Sequence, residues 1–159
     1  MIKRYGLELL GEDRLPHLVE EERYNTSIKN ITEPKAVSNF CQETLRLTNK
    51  AEEFVYAIYL DTQGKVLGIC EISHGNVNTA PLSSREVFIR ALMIAAAGVI
   101  LVHNHPSSGV EPSMADEAVT QRVYEAGILV GIPLVDAIIV GAGGRFFSFR
   151  ENQRIILHD

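Results

Sequence analysis

Cysteine is scarce in this chain of 159 residues: Cys41 and Cys70 are its only two, and they stand far apart. Two cysteines make no disulfide framework in a chain this long, and no CxxC pair offers a thiolate zinc site. Both read as small buried hydrophobes in a reducing compartment. Long apolar runs are also missing. The longest, "ALMIAAAGVILV" from Ala91 to Val102, is bracketed by Arg90 and His103. It falls well short of the roughly 20 residues that span a bilayer. The first residues, "MIKRYGLELLGEDRLPHLVEEERY", have no signal-peptide core. A soluble cytoplasmic protein is the expectation. Positive charge is in deficit: 15 lysines and arginines face 20 acidic residues, for a net charge of −5. Nucleic-acid binding through a broad basic surface is therefore not expected, although a local patch is compatible with the sum. Internal repeats and low-complexity segments are absent.

The length is that of one ordinary domain, long enough to bury a core without disulfide or metal staples. A composition of 46% hydrophobic and 22% charged residues is globular. Residues 1–30 are charged and weakly apolar, with "EEER" from Glu20 to Arg23 read as a solvated face. They read as an N-terminal arm that packs on the domain or on a partner chain, with order beginning near residue 31.

From there helical and strand patterns alternate. "ITEPKAVSNFCQETLRLTNK" predicts a helix with Thr32 as N-cap and Pro34 in its first turn. "EFVYAIYLD" and "VLGICEIS", joined by "TQGK", predict a β-hairpin. "SSREVFIRALMIAAAG" predicts a helix with a capping-box pattern at Ser83 and Glu86, ending at Gly98. "VILV" is a buried strand that delivers His103. "PSMADEAVTQRVYEAG" predicts a helix capped by Ser113 and ended by Gly127. "PLVDAIIVG", "AGG" and "RFFSF" predict a closing hairpin. The fold class is α/β: a single domain with a mixed β-sheet between helices.

Chemistry concentrates in "LVHNHPSSGVEPSMADEAV". Residues i and i+2 of a strand share a face, so His103 and His105 form a pair of imidazoles if extended geometry persists between them. After a loop, Asp116 sits in the first turn of the next helix, where its carboxylate can fold back toward them. Two nitrogens and one carboxylate oxygen leave a tetrahedral zinc ion one position short, the arrangement of catalytic zinc with water in the fourth place. Hydrolysis also requires a base. Glu52, Glu53, Glu71, Glu86 and Glu111 are all available, and periodicity does not choose among them.

His103, His105, Ser113 and Asp116 match the JAMM metalloprotease signature: His-x-His, seven residues, Ser, two residues, Asp. "EFVYAIYLD", "GNVN", "REVFIRAL" and "HNHPSSGVEPSMAD" resemble the RadC branch of the JAB/MPN superfamily over about residues 33–151. The resemblance implies a sheet flanked by helices, with the α/β/α layering also found in cytidine deaminases, and a domain over residues 31–159. It implies Zn2+ held by His103, His105 and Asp116. Glu53 would be general base and proton shuttle, and Ser113 would steady the tetrahedral oxyanion. The reaction implied is water attack on an amide or isopeptide carbonyl, with an unidentified peptide or amide as substrate. Asn104 is read as a loop-holding or outer contact, and Asp136 as an outer contact or a polar break in a strand. His17, His74 and His158 lack partners at ligand spacing and read as surface residues.

The chain departs from the branch in three places. A Leu-Asp-His block reads Val135, Asp136, Ala137, so its histidine is absent. A Pro-Arg-Glu block reads Ser84, Arg85, Glu86. The glycine of "HPSG" comes one place later, at Gly109. Longer members also carry an N-terminal helical domain with a helix-hairpin-helix element, for which residues 1–30 are too short. Rival readings are a binding or scaffold module without turnover, to which the absent histidine at Ala137 points, and an accessory DNA-repair factor, which would need a basic stripe. A nucleobase deaminase would need His-x-Glu and Pro-Cys-x-x-Cys, and the chain has neither. The oligomeric state is open.

Overall fold

The alternating patterns become one layered sheet in a computed structural model that describes residues 1–28, 31, 33–75, 82–107 and 109–155. Among these, the strands are β1 (Ile2–Leu10), β2 (Leu15–Tyr24), β3 (Glu53–Leu60), β4 (Val66–Gly75), β5 (Gly98–Asn104), β6 (Leu134–Val140) and β7 (Phe146–Ser148). The helices are α1 (Pro34–Leu45), α2 (Ser84–Met93) and α3 (Met114–Val130). The strands hydrogen-bond in the order β2-β1-β4-β3-β5-β6-β7. The β1/β4 and β5/β6 pairs are parallel, and the others are antiparallel. No described helix is long and apolar enough to cross a membrane.

Strand alternation sorts the core into two halves. On one face Tyr56, Ile58, Ile100, Val102 and Ile138 pack against Val37, Phe40 and Cys41 of α1. On the other Ala57, Tyr59, Leu101, Ala137 and Ile139 pack against Val87, Phe88 and Ala91 of α2 and Val123 of α3. His103 follows Val99 and Leu101 in alternation, so it faces the α2–α3 layer. Both cysteines are buried and free, as their isolation in the sequence implied.

Residues 2–24 depart from the expected arm. They form the β1–β2 hairpin, and β1 joins the sheet beside β4 with Arg4 opposite Ile69. The charges that disguised it pair across the hairpin: Lys3 with Glu20 at 2.8 Å and Arg4 with Glu21 at 3.2 Å. Its apolar contacts are few but divided between both faces, Ile2 and Tyr24 on the α1 side and Tyr5 and Leu18 on the other. A charged outermost strand also blocks further edge pairing.

Helix ends differ from expectation as well. Thr32 lies outside the described residues; α1 is preceded by Glu33 as N-cap with Pro34 at its start. Ser83 does precede α2, but its side chain makes no capping hydrogen bond, and the helix stops at Met93 rather than Gly98. Gly98 instead opens β5. α3 runs through Gly127 to Val130 and ends at Gly131, whose φ of 74° suits a left-handed cap. Gly127 is required by space: a Cβ there would stand 2.6 Å from the Ile132 carbonyl oxygen and 3.2 Å from the Leu134 nitrogen.

Alanine ordinarily improves a helix by about 1 kcal/mol over glycine. At Gly127 the clash with fixed backbone reverses the sign, and Gly127→Ala is expected to cost about 2 kcal/mol in urea unfolding. A gain in stability would refute the close packing of α3 against the start of β6.

Candidate metal centre

Three elements converge on one point. β5 ends at Asn104, so His105 lies just beyond the strand rather than in it. The two imidazoles nevertheless meet, with Nε2 atoms 3.2 Å apart. β3 lies antiparallel to β5 with Val55 opposite His103, which carries Glu53 to the same end of the sheet. α3 brings Asp116 in its first turn. Asp116 Oδ1 is 3.3 Å from His103 Nε2, and Oδ2 is 3.3 Å from His105 Nε2. Glu53 Oε1 is 3.9 Å from His103 Nε2. One ligating atom from each of Glu53, His103, His105 and Asp116 lies within 4.8 Å of the other three.

The donor set suits a divalent metal ion. His105 Nδ1 is 3.0 Å from the Gly109 carbonyl oxygen. A carbonyl only accepts, so this contact places the proton on Nδ1 and frees Nε2 as a ligand, the usual means of orienting a metal-binding histidine. Ser113 and Asp116 form a reciprocal capping box. The Asp116 N–H donates to Ser113 Oγ at 3.1 Å, and the Ser113 N–H and hydroxyl donate to Asp116 Oδ2 at 2.7 and 2.8 Å. These bonds fix the carboxylate's direction before any ion arrives.

The carboxyl groups are driven in opposite directions. Burial raises the pKa of Glu53 above its ordinary value, and Asp116 adds to the rise while His103 and His105 oppose it. Burial also acts to raise Asp116, but hydrogen bonds with the two histidines outweigh it and hold this acid far below the usual range. His105 is raised, first by its hydrogen bond with Asp116 and against its desolvation.

The sequence model of the family described as RadC-like JAB domain matches residues 31–154. The chain belongs to that family. Similar proteins include a UPF0758 protein of Clostridium acetobutylicum, 42% identical over 76% of this chain and 52% of that one. A UPF0758 protein of Stenotrophomonas maltophilia is 39% identical over 92% of this chain and 58% of its own length. One from Methanosarcina mazei is 39% identical over 87% and 57%. This RadC-like JAB domain thus spans a little over half the length of the curated relatives it matches.

Of the five glutamates open to choice, Glu53 alone joins the cluster. Glu52 and Glu71 approach His74, Glu86 pairs with Arg85 and Arg90, and Glu111 is exposed. Asp136 does not reach the cluster. It accepts hydrogen bonds from Ser148 Oγ at 2.6 Å, the Arg150 N–H at 3.0 Å and the Ala137 N–H at 2.7 Å, holding the β6–β7 corner together. Its neighbour Ala137 is the one that faces the cluster, lining a cavity of about 30 Å3 with Glu53, His103 and Asp116. Asn104 turns to the backbone around Glu53. Its carboxamide accepts from the Phe54 N–H at 2.7 Å and donates to the Glu52 carbonyl at 3.0 Å. Of the remaining histidines, His17 and His74 are exposed, and His158 lies outside the described residues. The Gly109 contact had no signal in the sequence, because a backbone carbonyl looks the same at every residue.

His105→Ala and Asp116→Ala are each expected to abolish stoichiometric metal, measured by elemental analysis after supply of zinc. Full metal in either would refute the ligand set. Metal uptake must also displace the proton that Asp116 stabilises on His105. The raised His105 pKa means protons begin to compete above 6.5, the ordinary value. Apparent affinity should therefore fall as pH drops through that point, in chelator-competition titrations from about pH 8 to about pH 5. A flat profile would refute the coupling.

Proposed function

We propose that this RadC-like JAB domain is a zinc-dependent hydrolase of amide or isopeptide bonds. The observation that carries the reading is the convergence of Glu53, His103, His105 and Asp116 within 4.8 Å. Two imidazoles and one carboxylate are the ligand set of a catalytic zinc site with an open position. Bound there, zinc would supply a Lewis acid that draws the pKa of water toward neutrality.

The chain's own groups divide the remaining work. Asp116, held ionised by its partners, serves as a ligand. Glu53, less acidic and beside the ligands, takes one proton from the attacking water as oxygen bonds to the carbonyl carbon. It passes that proton to the departing nitrogen as the C–N bond breaks, so the products are a carboxylic acid and an amine. Ser113 holds Asp116 and turns its hydroxyl proton toward the carbonyl oxygen as charge develops. An open groove of about 400 Å3, lined by Ala51, Glu52, Glu53, Gly75 and Pro106, borders Glu53 and offers a place for substrate. The buried free thiols of Cys41 and Cys70 suit a reducing compartment such as the cytoplasm.

One observation favours a second reading, a metal-binding module without turnover. Ala137 stands where the resemblance expects a histidine, and this position lines the cavity beside Glu53. A panel of fluorogenic peptides and isopeptide-linked peptides separates the two. The zinc-loaded chain should cleave members of the panel. Glu53→Gln should retain about one zinc per chain yet lose about 10²–10⁴-fold in rate. Equal cleavage by Glu53→Gln would remove it as the base. No cleavage across the panel by the loaded chain would favour the module.

A further inference from the structure

We propose that Asn104 is a positioning residue for Glu53, clamping the backbone on both sides of the base through a side-chain amide that takes the place of a strand. The proposal rests on the reading of Glu53 as proton acceptor.

Asn104 is 1% exposed, and its side chain spends both ends on the short stretch where the chain enters β3, the Glu52 carbonyl and the Phe54 N–H. In an extended chain, a residue's own N–H and C=O point to one side of the strand, while the C=O before it and the N–H after it point to the other. Glu53 is registered with Gly75 of β4 on the first side. On the second side the backbone pairing of β3 with β5 stops at Val55 and His103. The Glu52 carbonyl and the Phe54 N–H lie beyond that last pair, and the Asn104 carboxamide satisfies both. One planar amide thus imitates the peptide group that another ladder residue would have supplied.

The placement ties base to ligands. Asn104 lies between His103 and His105 in sequence, so the segment that carries both imidazoles also grips the backbone of Glu53. A proton-accepting carboxylate beside the two imidazoles needs a fixed root, because errors of about 1 Å in a catalytic group are costly. Aspartate in place of Asn104 would keep the acceptor for Phe54 and lose the donor for Glu52. Alanine would lose both.

The test needs a readout of Glu53 that does not depend on an identified substrate. Acetohydroxamate binding to the cobalt(II)-loaded chain, followed by the cobalt absorption spectrum, supplies one, since a proton acceptor at Glu53 would take its hydroxyl proton. Glu53→Gln is expected to weaken it about tenfold, the worth of one charge-assisted hydrogen bond. Asn104→Ala and Asn104→Asp should each weaken it about fivefold in the wild-type background and less than about twofold beside Glu53→Gln. The new charge of Asn104→Asp also acts on the Glu53 carboxylate, which Glu53→Gln removes, so the uncharged Asn104→Ala decides the cycle. Cobalt stoichiometry should stay at that of the wild type. If Asn104→Ala does not fold, the uncharged Asn104→Ser takes its place in the cycle. Equal losses in both backgrounds, or none in either, would overturn the positioning role and leave Glu53 as base. No effect of Glu53→Gln itself would instead overturn the assignment of Glu53, and this proposal with it.

Discussion

The register of β3 against β5 is the constraint on which the site depends. With Val55 opposite His103, the chain two residues before Val55 reaches the same end and the same face as the two imidazoles. Side chains alternate along a strand, so a slip by one residue would send Glu53 to the α1 side and bring a neighbour in its place. The register is held by burial on both faces: Ala57 and Tyr59 on one side and Tyr56 and Ile58 on the other are essentially inaccessible. Moving them by one place would put each into the wrong half of the core. Packing that has nothing to do with chemistry therefore sets the position of Glu53 to within one residue.

On that frame, electrostatics separates two carboxyl groups that would otherwise be equivalent. Asp116 sits at the N-terminus of α3, where backbone N–H groups favour negative charge, and it contacts both imidazoles. Glu53 is half-buried, with one distant imidazole contact and a neighbouring negative charge. One acid is thereby fixed as an anion and the other made more basic. Divergent carboxyl groups in one cluster are the pattern expected when one binds and the other moves protons.

Much of this was legible because it depends on short-range periodicity. The three helices, the strands from Glu53 onward and the pairing of His103 with His105 follow from apolar spacing and local geometry. The β1–β2 hairpin was not legible, because its charges are satisfied across the strands by Lys3 and Arg4 and too few of its residues are buried to leave an apolar alternation. Glycines misled at helix ends for a related reason. Gly127 is present because another segment approaches it, and such an approach leaves no mark in local sequence. Asp136 was open to two readings, an outer contact or a polar break in a strand. Its partners are the Ser148 hydroxyl and backbone amides, on a different corner of the sheet from the one considered.

The sequence by itself determined the fold class, the family resemblance and the grouping of His103, His105 and Asp116, because these lie within one strand–loop–helix unit where spacing dictates proximity. Residue spacing left Glu53 level with Glu52, Glu71, Glu86 and Glu111 until the resemblance singled it out; tertiary structure is what brings it to the others by geometry and takes Asn104 across some 50 residues to the backbone around it. Those choices depend on strand register and on which face each residue presents. Both are set by packing between segments distant in the chain, and no local pattern of residues encodes them.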